Sequence, residues 1–250
     1  MEETIIRLAG LPVRFLCHSK NTSYYLKRYL SEDTYEEVET EYTVDSRNID
    51  LMQLDPDYLV DNPFNEYCYL VEAATDELMA AHRCFFHGVA FVWKGNAWIL
   101  TAPSGTGKST QYRNLSKLYG DEVFCLNGDK PGLEICDDGL IRVYDSPWRG
   151  KEGWGTANGV YPLGGIFLLK QAGYNKVRRL SADEALVPIY CQFLSSRSTV
   201  TLCHQLSRLE DVLIRNFPVY LLENMGDLDS TRLLYQTLEQ TYYKYNPYQN

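Results

Sequence analysis

A lysine and a serine follow a short glycine-rich turn near the middle of the chain. The segment runs from Asn96 to Gln111 and contains Ala102-Pro-Ser-Gly-Thr-Gly-Lys108-Ser109. This order matches the phosphate-loop, or Walker A, pattern, in which backbone N–H groups surround a di- or triphosphate, the lysine neutralises its charge and the serine hydroxyl binds Mg²⁺. We therefore expect ATP and Mg²⁺ as ligands.

The residues around this turn have the context that such a loop requires. Trp98–Leu100 predicts a buried strand leading in, and the residues from Ser109 onward predict a helix whose N-terminus faces the phosphates. Ala102 stands where the strict pattern has its first glycine, and a Gly/Ser turn that matches by chance is the alternative. The predicted nucleotide-binding residues are Ser104, Gly105, Thr106, Gly107, Lys108, Ser109 and Thr110.

An acidic residue follows the next predicted strand. The apolar segment Glu122–Asn127 is followed directly by Gly128, Asp129 and Lys130. An acid at the C-terminal end of a strand beside a phosphate loop is where a nucleotide enzyme places a metal ligand or a general base. Asp129 is our candidate for either role. The alternative is an aspartate that merely closes a turn with its own side chain.

Two further features have both a structural and a functional interpretation. His87 lies in a predicted apolar strand from Cys84 to Trp93, where a lone histidine is usually a hydrogen-bonded core residue. The loop Asp145–Gly155 is rich in glycine and carries Arg149, Lys151 and Glu152. Such a loop is either a structural turn or the acceptor side of an active site, where an arginine grips the transferring group with two donors.

Composition and charge exclude several classes of protein. The 250 residues are 45% apolar, which is enough for a packed core, and no run is long enough to cross a bilayer. We expect a cytoplasmic protein. The net charge is −9, and residues 1–80 hold 6 Lys and Arg against 17 Asp and Glu. This acidity argues against nucleic-acid binding. It is either a solvated face or a dock for a basic partner.

The chain is predicted to form a mixed α/β fold in two parts. Residues 1–80 are expected to form a small acidic α/β domain, and residues 81–250 a phosphate-loop domain. The turn Asp137-Asp138-Gly139 between apolar runs predicts a hairpin directly after Asp129. Antiparallel strands in that place distinguish this chain from nucleotide kinases and GTPases, in which helical crossovers build a parallel sheet.

The order of these features resembles the HPr kinase/phosphorylase family and the ATP-dependent phosphoenolpyruvate carboxykinases, which share its fold. The features are His87-Gly88, the loop APSGTGKST, a strand followed by Asp129, and immediate antiparallel strands. The resemblance covers residues 81–225. The chain looks most like small bacterial kinase-related proteins that keep this nucleotide core without the full partner domains.

The resemblance implies a role for each candidate residue. Lys108 would clamp the phosphates, Ser109 would ligate Mg²⁺, and Asp129 would accept the proton of the acceptor hydroxyl with His87 beside it. Two consecutive acids usually end this strand in the related families, whereas the second position here is Lys130. Glu152 is the candidate for the missing metal ligand.

Two functions from different classes remain open at this point. The first is an ATP- and Mg²⁺-dependent kinase that transfers the γ-phosphoryl group to a hydroxyl of a peptide, a small protein or a small molecule. The second is a nucleotide-binding accessory protein without chemistry, which Lys130 in place of an acid favours. A peptide or small protein is the acceptor we expect for the kinase, and the sequence leaves the oligomeric state open.

Overall fold

The computed structural model describes residues 2–27, 40–46, 63–156, 159–195 and 200–244. Its strands in chain order are β1 (Glu2–Leu8), β2 (Leu11–Cys17), β3 (Thr43–Asp45), β4 (Arg83–Phe85), β5 (Val89–Trp93), β6 (Asn96–Thr101), β7 (Val123–Asn127), β8 (Gly132–Ile135), β9 (Ile141–Tyr144), β10 (Val160–Gln171), β11 (Lys176–Arg179) and β12 (Val219–Asn224). Its α-helices are α1 (Lys20–Lys27), α2 (Pro63–Leu78), α3 (Lys108–Tyr119), α4 (Ala182–Tyr190), α5 (Val200–Asn216) and α6 (Leu228–Lys244).

The strands form two sheets. β1, β2 and β3 make a three-stranded sheet, and the other nine strands make a sheet that begins β4-β8-β9-β10-β6-β5-β7 and continues from β10 through β12 to β11. β6, β10 and β12 are mutually parallel, whereas β5 is antiparallel to β6 and β7. The predicted mixed α/β fold is therefore confirmed. The predicted boundary near residue 80 stays a prediction.

The long strand β10 joins the two halves of the large sheet. Its first residues pair antiparallel with β9, and from Leu163 onward it pairs parallel with β6. The register shifts between Leu163 and Gly165. A Cβ on Gly164 would lie 2.7 Å from Trp98, so only glycine allows the strand to pass this buried indole.

Helices cover both faces of the large sheet, which explains why all six residues of β6 are buried. Alternate residues of β6 enter different cores. Trp98 and Leu100 pack in the cluster that contains residues of α3 and α6, while Ala97 and Ile99 pack in the one that contains residues of α4 and α5. A third cluster fills the space between the small sheet, α1 and α2 and also contains Phe85 and Trp148.

Several sequence predictions need correction. The predicted strand Cys84–Trp93 is two strands, β4 and β5, and His87 lies in the link between them. The break lies at Gly88, where only glycine fits because a Cβ would lie 2.6 Å from Ile99 and 2.9 Å from the carbonyl oxygen of Leu100. The chain turns there from the half of the sheet around β8 to the half around β6.

Other predictions differ in extent. The helix predicted to reach Ser195 ends at Tyr190, although its predicted capping box at Ser181 and Glu184 is confirmed. The edge strand β11 was not predicted, because its four residues are mostly charged and do not alternate clearly. The strand predicted at Glu36–Val44 lies partly outside the described residues, and within them β3 begins only at Thr43.

Candidate functional site

The turn between β6 and α3 has the backbone conformation that its glycines suggested. Gly105 has φ +79° and Gly107 φ +109°, and a Cβ at either position would contact nothing within 4 Å. The positive φ of the backbone, and not a lack of room for a side chain, therefore favours glycine at both positions. Ala102 is fully buried beneath the turn and its φ is not positive, so this conformation does not require the first glycine of the motif.

The first turn of α3 faces this loop. Gly107 precedes the helix and provides no side-chain cap, and the next three residues are Lys108, Ser109 and Thr110. Ser109 is half-buried, while Ser104, Gly105 and Thr110 are exposed. Thr106 donates from its hydroxyl to the carbonyl oxygen of Pro103 at 2.8 Å, which closes the turn. The positive end of a 12-residue helix is therefore presented at the loop.

Lys108 lies inside the loop and is only 8% exposed. Its ammonium donates to the carbonyl oxygens of Ala102 at 2.8 Å and Pro103 at 3.3 Å. Burial lowers the pKa of this ammonium, an effect that Asp129 opposes and Lys130 reinforces. Since an ammonium has three donors, these two bonds leave one available to a ligand oxygen in the loop.

Asp129 lies at the same edge of the sheet. β7 runs parallel to β6 with β5 between them, so β6 and β7 end at the edge where β5 begins. The backbone N–H of Gly88, just before β5, donates to the carbonyl oxygen of Asp129 at 2.8 Å. The family resemblance implied that His87 lies beside Asp129, and the sheet brings the two side chains together.

The buried Asn127 holds the turn that carries Asp129. Its amide oxygen accepts the backbone N–H of Asp129 at 2.9 Å and that of Lys130 at 2.7 Å. Its amide nitrogen donates to the carboxylate of Asp145 at 2.8 Å and to the hydroxyl of Ser146 at 3.1 Å. Sequence reasoning missed this residue. The available signal was an amide at the end of an apolar strand before glycine.

The Asp129 carboxylate has two basic neighbours. The ammonium of Lys130 forms an ion pair with it, and Nε2 of His87 lies 3.6 Å from its Oδ1. These three side chains are each only 22–23% exposed. Lys130, which the sequence showed only as a departure from two consecutive acids, therefore compensates the charge of the proposed base directly.

His87 is held from the opposite side by Gln192, a residue with no recognisable signal in the sequence. The two backbones bond at 2.8 Å, and Nδ1 of His87 lies 3.2 Å from Oε1 of Gln192. In the tautomer whose Nδ1–H donates to Gln192, Nε2 is left as an acceptor that faces Asp129. Burial and then the charge of Lys108 lower the pKa of His87, so the neutral imidazole is favoured.

The glycine-rich loop 145–155 packs beside Asp129, and several of its charged side chains are already paired. Gly150 has φ +67°, and a Cβ there would lie 2.9 Å from Cβ of Asp129. Arg149 forms an ion pair with the fully buried carboxylate of Asp145. Glu152 accepts from Arg113 of α3 at 3.2 Å. The predicted roles of Arg149 and Glu152 at the phosphoryl group stay predictions.

Trp148 fixes this loop to the N-terminal part of the chain. Its side chain is 1% exposed, and its ring centroid lies 5.2 Å from that of Phe85 and 6.3 Å from that of Phe15. The carbonyl oxygen of Trp148 also accepts the backbone N–H of Lys130 at 3.1 Å. Trp148 therefore links the core beneath the small sheet to the turn that carries Asp129.

Two kinds of feature are absent from the described ranges. No three His, Cys, Asp or Glu side chains in these ranges come together as a metal-binding group. None of the helices in the same ranges combines the length and the apolar character needed to cross a bilayer.

Comparison with known proteins gives a distant structural resemblance. No protein-family model matches the sequence, and no curated protein sequence matches it. Among solved structures, the Hpr(Ser) kinase/phosphatase from Coxiella burnetii is similar to this chain with a TM-score of 0.36 and 9% sequence identity. The match covers 66% of this chain and 99% of that one. A match this distant assigns no residue a role, so the chemistry rests on the geometry above.

Proposed function

We propose that this protein is an ATP- and Mg²⁺-dependent phosphotransferase that acts on a hydroxyl group. The observation that supports this most is the convergence of Lys108, Asp129 and His87 at one edge of the sheet, beside the glycine turn that begins α3. The sequence separates these residues, and an ordinary Gly/Ser turn or a core histidine would not require them to meet.

Lys108 and the first turn of α3 bind the phosphates in this proposal. Lys108 keeps one ammonium donor for a phosphate oxygen, and the N–H groups after Gly107 add the positive end of the helix. Positioning and charge neutralisation do most of the work in phosphoryl transfer, because the transition state spreads negative charge over the phosphoryl oxygens.

Asp129 accepts the proton of the acceptor hydroxyl. As the hydroxyl oxygen bonds to the γ-phosphorus, the bond from that phosphorus to the β–γ bridging oxygen breaks, and ADP leaves with the electron pair. The proton moves to the Asp129 carboxylate, and the neutral His87 at 3.6 Å is the next acceptor along the same line.

The residues present fit Mg²⁺ in chemistry. Mg²⁺ prefers oxygen ligands and is usually held by one or two carboxylates together with substrate phosphates. The hydroxyl of Ser109 and the carboxylate of Glu152 would hold it, with Asp129 as the alternative ligand if it is not the base, and it would neutralise charge on the phosphates. Both carboxylates are now paired, Asp129 with Lys130 and Glu152 with Arg113. Binding would therefore have to compete with these cations.

We propose a serine or threonine hydroxyl of a peptide or small protein as the acceptor. Two observations support this choice. The sequence after the phosphate loop has no second Arg-rich segment and predicts no helical lid that would neutralise a nucleotide acceptor. Residues 1–80 also have a charge balance of −11, which would attract a basic segment. Raising the ionic strength should then raise KM for a peptide acceptor more than KM for ATP.

The ion pair between Lys130 and Asp129 favours a second candidate, a nucleotide-binding accessory protein without chemistry. A paired carboxylate is a weaker base and a weaker metal ligand than a free one. On this alternative, the wild-type protein binds ATP but transfers nothing, and Lys130→Asp, which restores a second acid, confers Mg²⁺-dependent transfer.

The deciding experiment offers γ-labelled ATP with Mg²⁺ to serine- and threonine-containing peptides, small proteins and metabolites, with intact-mass detection. A gain of about 80 Da on a peptide or protein is the result we expect for one transferred phosphoryl group. A gain only on a metabolite would preserve the kinase and remove the peptide acceptor. ATP that is bound or hydrolysed with every acceptor would support the accessory protein.

A further inference from the structure

Two exposed apolar side chains lie on adjoining loops beyond the parallel strands. Tyr174, in the turn between β10 and β11, is 53% exposed, and Met225, directly after β12, is 59% exposed. The backbone N–H of Met225 donates to Oδ1 of Asn175 at 2.9 Å, and Nδ2 of Asn175 donates to Asp227 at 3.0 Å. Asn175 therefore ties the two loops into one surface, which we call the Tyr174–Met225 surface.

This surface lies on the same edge of the sheet as the phosphate loop. β6, β10 and β12 are parallel, and Thr101 pairs with Leu168, which pairs with Leu221. Met225 follows Leu221 by four residues at about 3.3 Å each, and two strand spacings of about 4.8 Å separate β6 from β12. Met225 therefore lies roughly 16 Å from the end of β6. A nucleoside triphosphate whose phosphates lie on the loop can reach this far.

Contacts connect the surface directly to α3. The side-chain amide of Asn114 donates to the carbonyl oxygen of Gly226 at 3.2 Å, and Gln111, fully buried, donates to Asn224 at 3.0 Å and to Ser230 at 2.6 Å. The helix that begins at the phosphate loop therefore holds the loop that carries Met225 in a fixed position.

The polar end of Tyr174 faces a charged pair. Lys170 donates to the carboxylate of Glu223 at 3.0 Å and lowers the pKa of that carboxyl, and the hydroxyl of Tyr174 interacts with the same carboxylate and lowers its pKa by a smaller amount. An interaction at the hydroxyl leaves the faces of the ring open to contact. An aromatic ring that is engaged at its polar end and about half exposed is suited to stacking on a flat, uncharged ligand.

The opposite side of β6 has a different character. On that side, before β5 and after β7, lies a charged group formed by Asp129, Lys130 and His87. This group suits the reacting phosphoryl group and the acceptor. A bound nucleotide with its γ-phosphate toward this group directs its base to the β10 and β12 side. Resting on the proposed nucleotide function, we propose that the Tyr174–Met225 surface binds the base of the nucleotide, with the ring of Tyr174 stacked on it and the Met225 thioether against its edge.

The experiment compares ATP with inorganic tripolyphosphate, which has the phosphates without the base. The double variant Tyr174→Ala/Met225→Ala should bind ATP about tenfold more weakly, the effect of losing one stacked base, and should bind tripolyphosphate as the wild type does. Isothermal titration calorimetry measures both affinities. Tyr174→Phe keeps the ring and should lose little, and Val187→Ala, an exposed apolar residue on α4, is the matched control.

A second readout locates the base directly. Photolabelling with 8-azido-ATP should modify peptides that contain Tyr174 or Met225, and excess ATP should prevent it. Equal ATP affinity in the double variant and the wild type, an equal loss for tripolyphosphate, or labelling elsewhere overturns this inference while the phosphate site stands. A wild-type protein that binds neither ATP nor tripolyphosphate removes the proposed function and, with it, the inference.

Discussion

Nε2 of His87 lies 3.6 Å from Oδ1 of Asp129, although 41 residues of strand, loop and helix separate them in the chain. The contact exists because the link before β5 and the turn after β7 meet at one edge of the sheet. Lys130 pairs with the other oxygen of the same carboxylate. The turn after β7 therefore holds an acid with an ammonium on one oxygen and an imidazole near the other.

Replacing Asp129 tests its role as the base. We expect Asp129→Asn to leave ATP affinity nearly unchanged, because the amide keeps the shape that packs against Gly150, and to lower transfer about 10²-fold or more. Calorimetry measures the first quantity and single-turnover transfer the second. Asp137→Asn, in an exposed turn, is the control. Loss of Mg²⁺-dependent binding would instead identify Asp129 as a metal ligand.

Lys108 is expected to provide the main charge that binds the phosphates. Lys108→Ala should weaken ATP binding about 10- to 100-fold, which corresponds to the roughly 1.5–3 kcal/mol of a charged hydrogen bond. Lys117→Ala removes an exposed lysine from the last turn of the same helix and should leave the affinity as it is. Unchanged affinity in Lys108→Ala, measured by calorimetry, would show that the glycine turn is not a phosphate site.

The loop after β9 needs two different variants, because its charged residues differ in burial. Lys151→Ala, at an exposed position, should reduce transfer while leaving ATP affinity and stability close to the wild type. Arg149→Ala removes the cation paired with the buried Asp145 carboxylate and should lower the free energy of unfolding by roughly 3–5 kcal/mol. Urea denaturation separates the two effects. Lys151→Ala with unaltered transfer would exclude Lys151 from the acceptor side.

Glu210 on α5 gives a prediction outside the site. It is 2% exposed, its Oε1 has no hydrogen-bond partner within the described ranges, and burial raises its pKa from 4.5 to about 7, an effect that a backbone hydrogen bond with Tyr190 opposes and Asp211 reinforces. Because the folded-state pKa is the higher one, the stability contributed by the protonated acid is complete below pH 4.5 and is lost as the pH rises through about 7.

Glu210→Gln keeps the neutral shape at every pH. We expect it to raise the free energy of unfolding by roughly 3 kcal/mol at pH 8 and to change it little at pH 5. Urea titrations at the two pH values measure this difference. Glu239→Gln, half-exposed on α6, is the control. A gain that is the same at both pH values would mean that ionisation of Glu210 is not its cause.

The sequence by itself determined many of the local elements and the backbone conformation of the glycine turn. Trp98–Leu100 is apolar because β6 is covered on both faces. Gly105 and Gly107 indicate residues with positive φ, since glycine adopts this conformation without strain. The strand after α3 and the hairpin at Asp138-Gly139 followed from the alternation of apolar runs and turn residues.

Only the tertiary structure decided how these elements combine into a site. The chain changes from one half of the sheet to the other at His87 and Gly88, because β4 pairs with β8 and β5 with β6, so His87 lies in a link at the edge beside Asp129 and not within a strand. Asn127 and Gln192 hold that edge through hydrogen bonds. The positions of these two residues in the sequence follow no helical or strand periodicity. Long-range pairing of parallel strands also places Tyr174 and Met225 near the loop, because register depends on burial across the whole sheet, not on local preference.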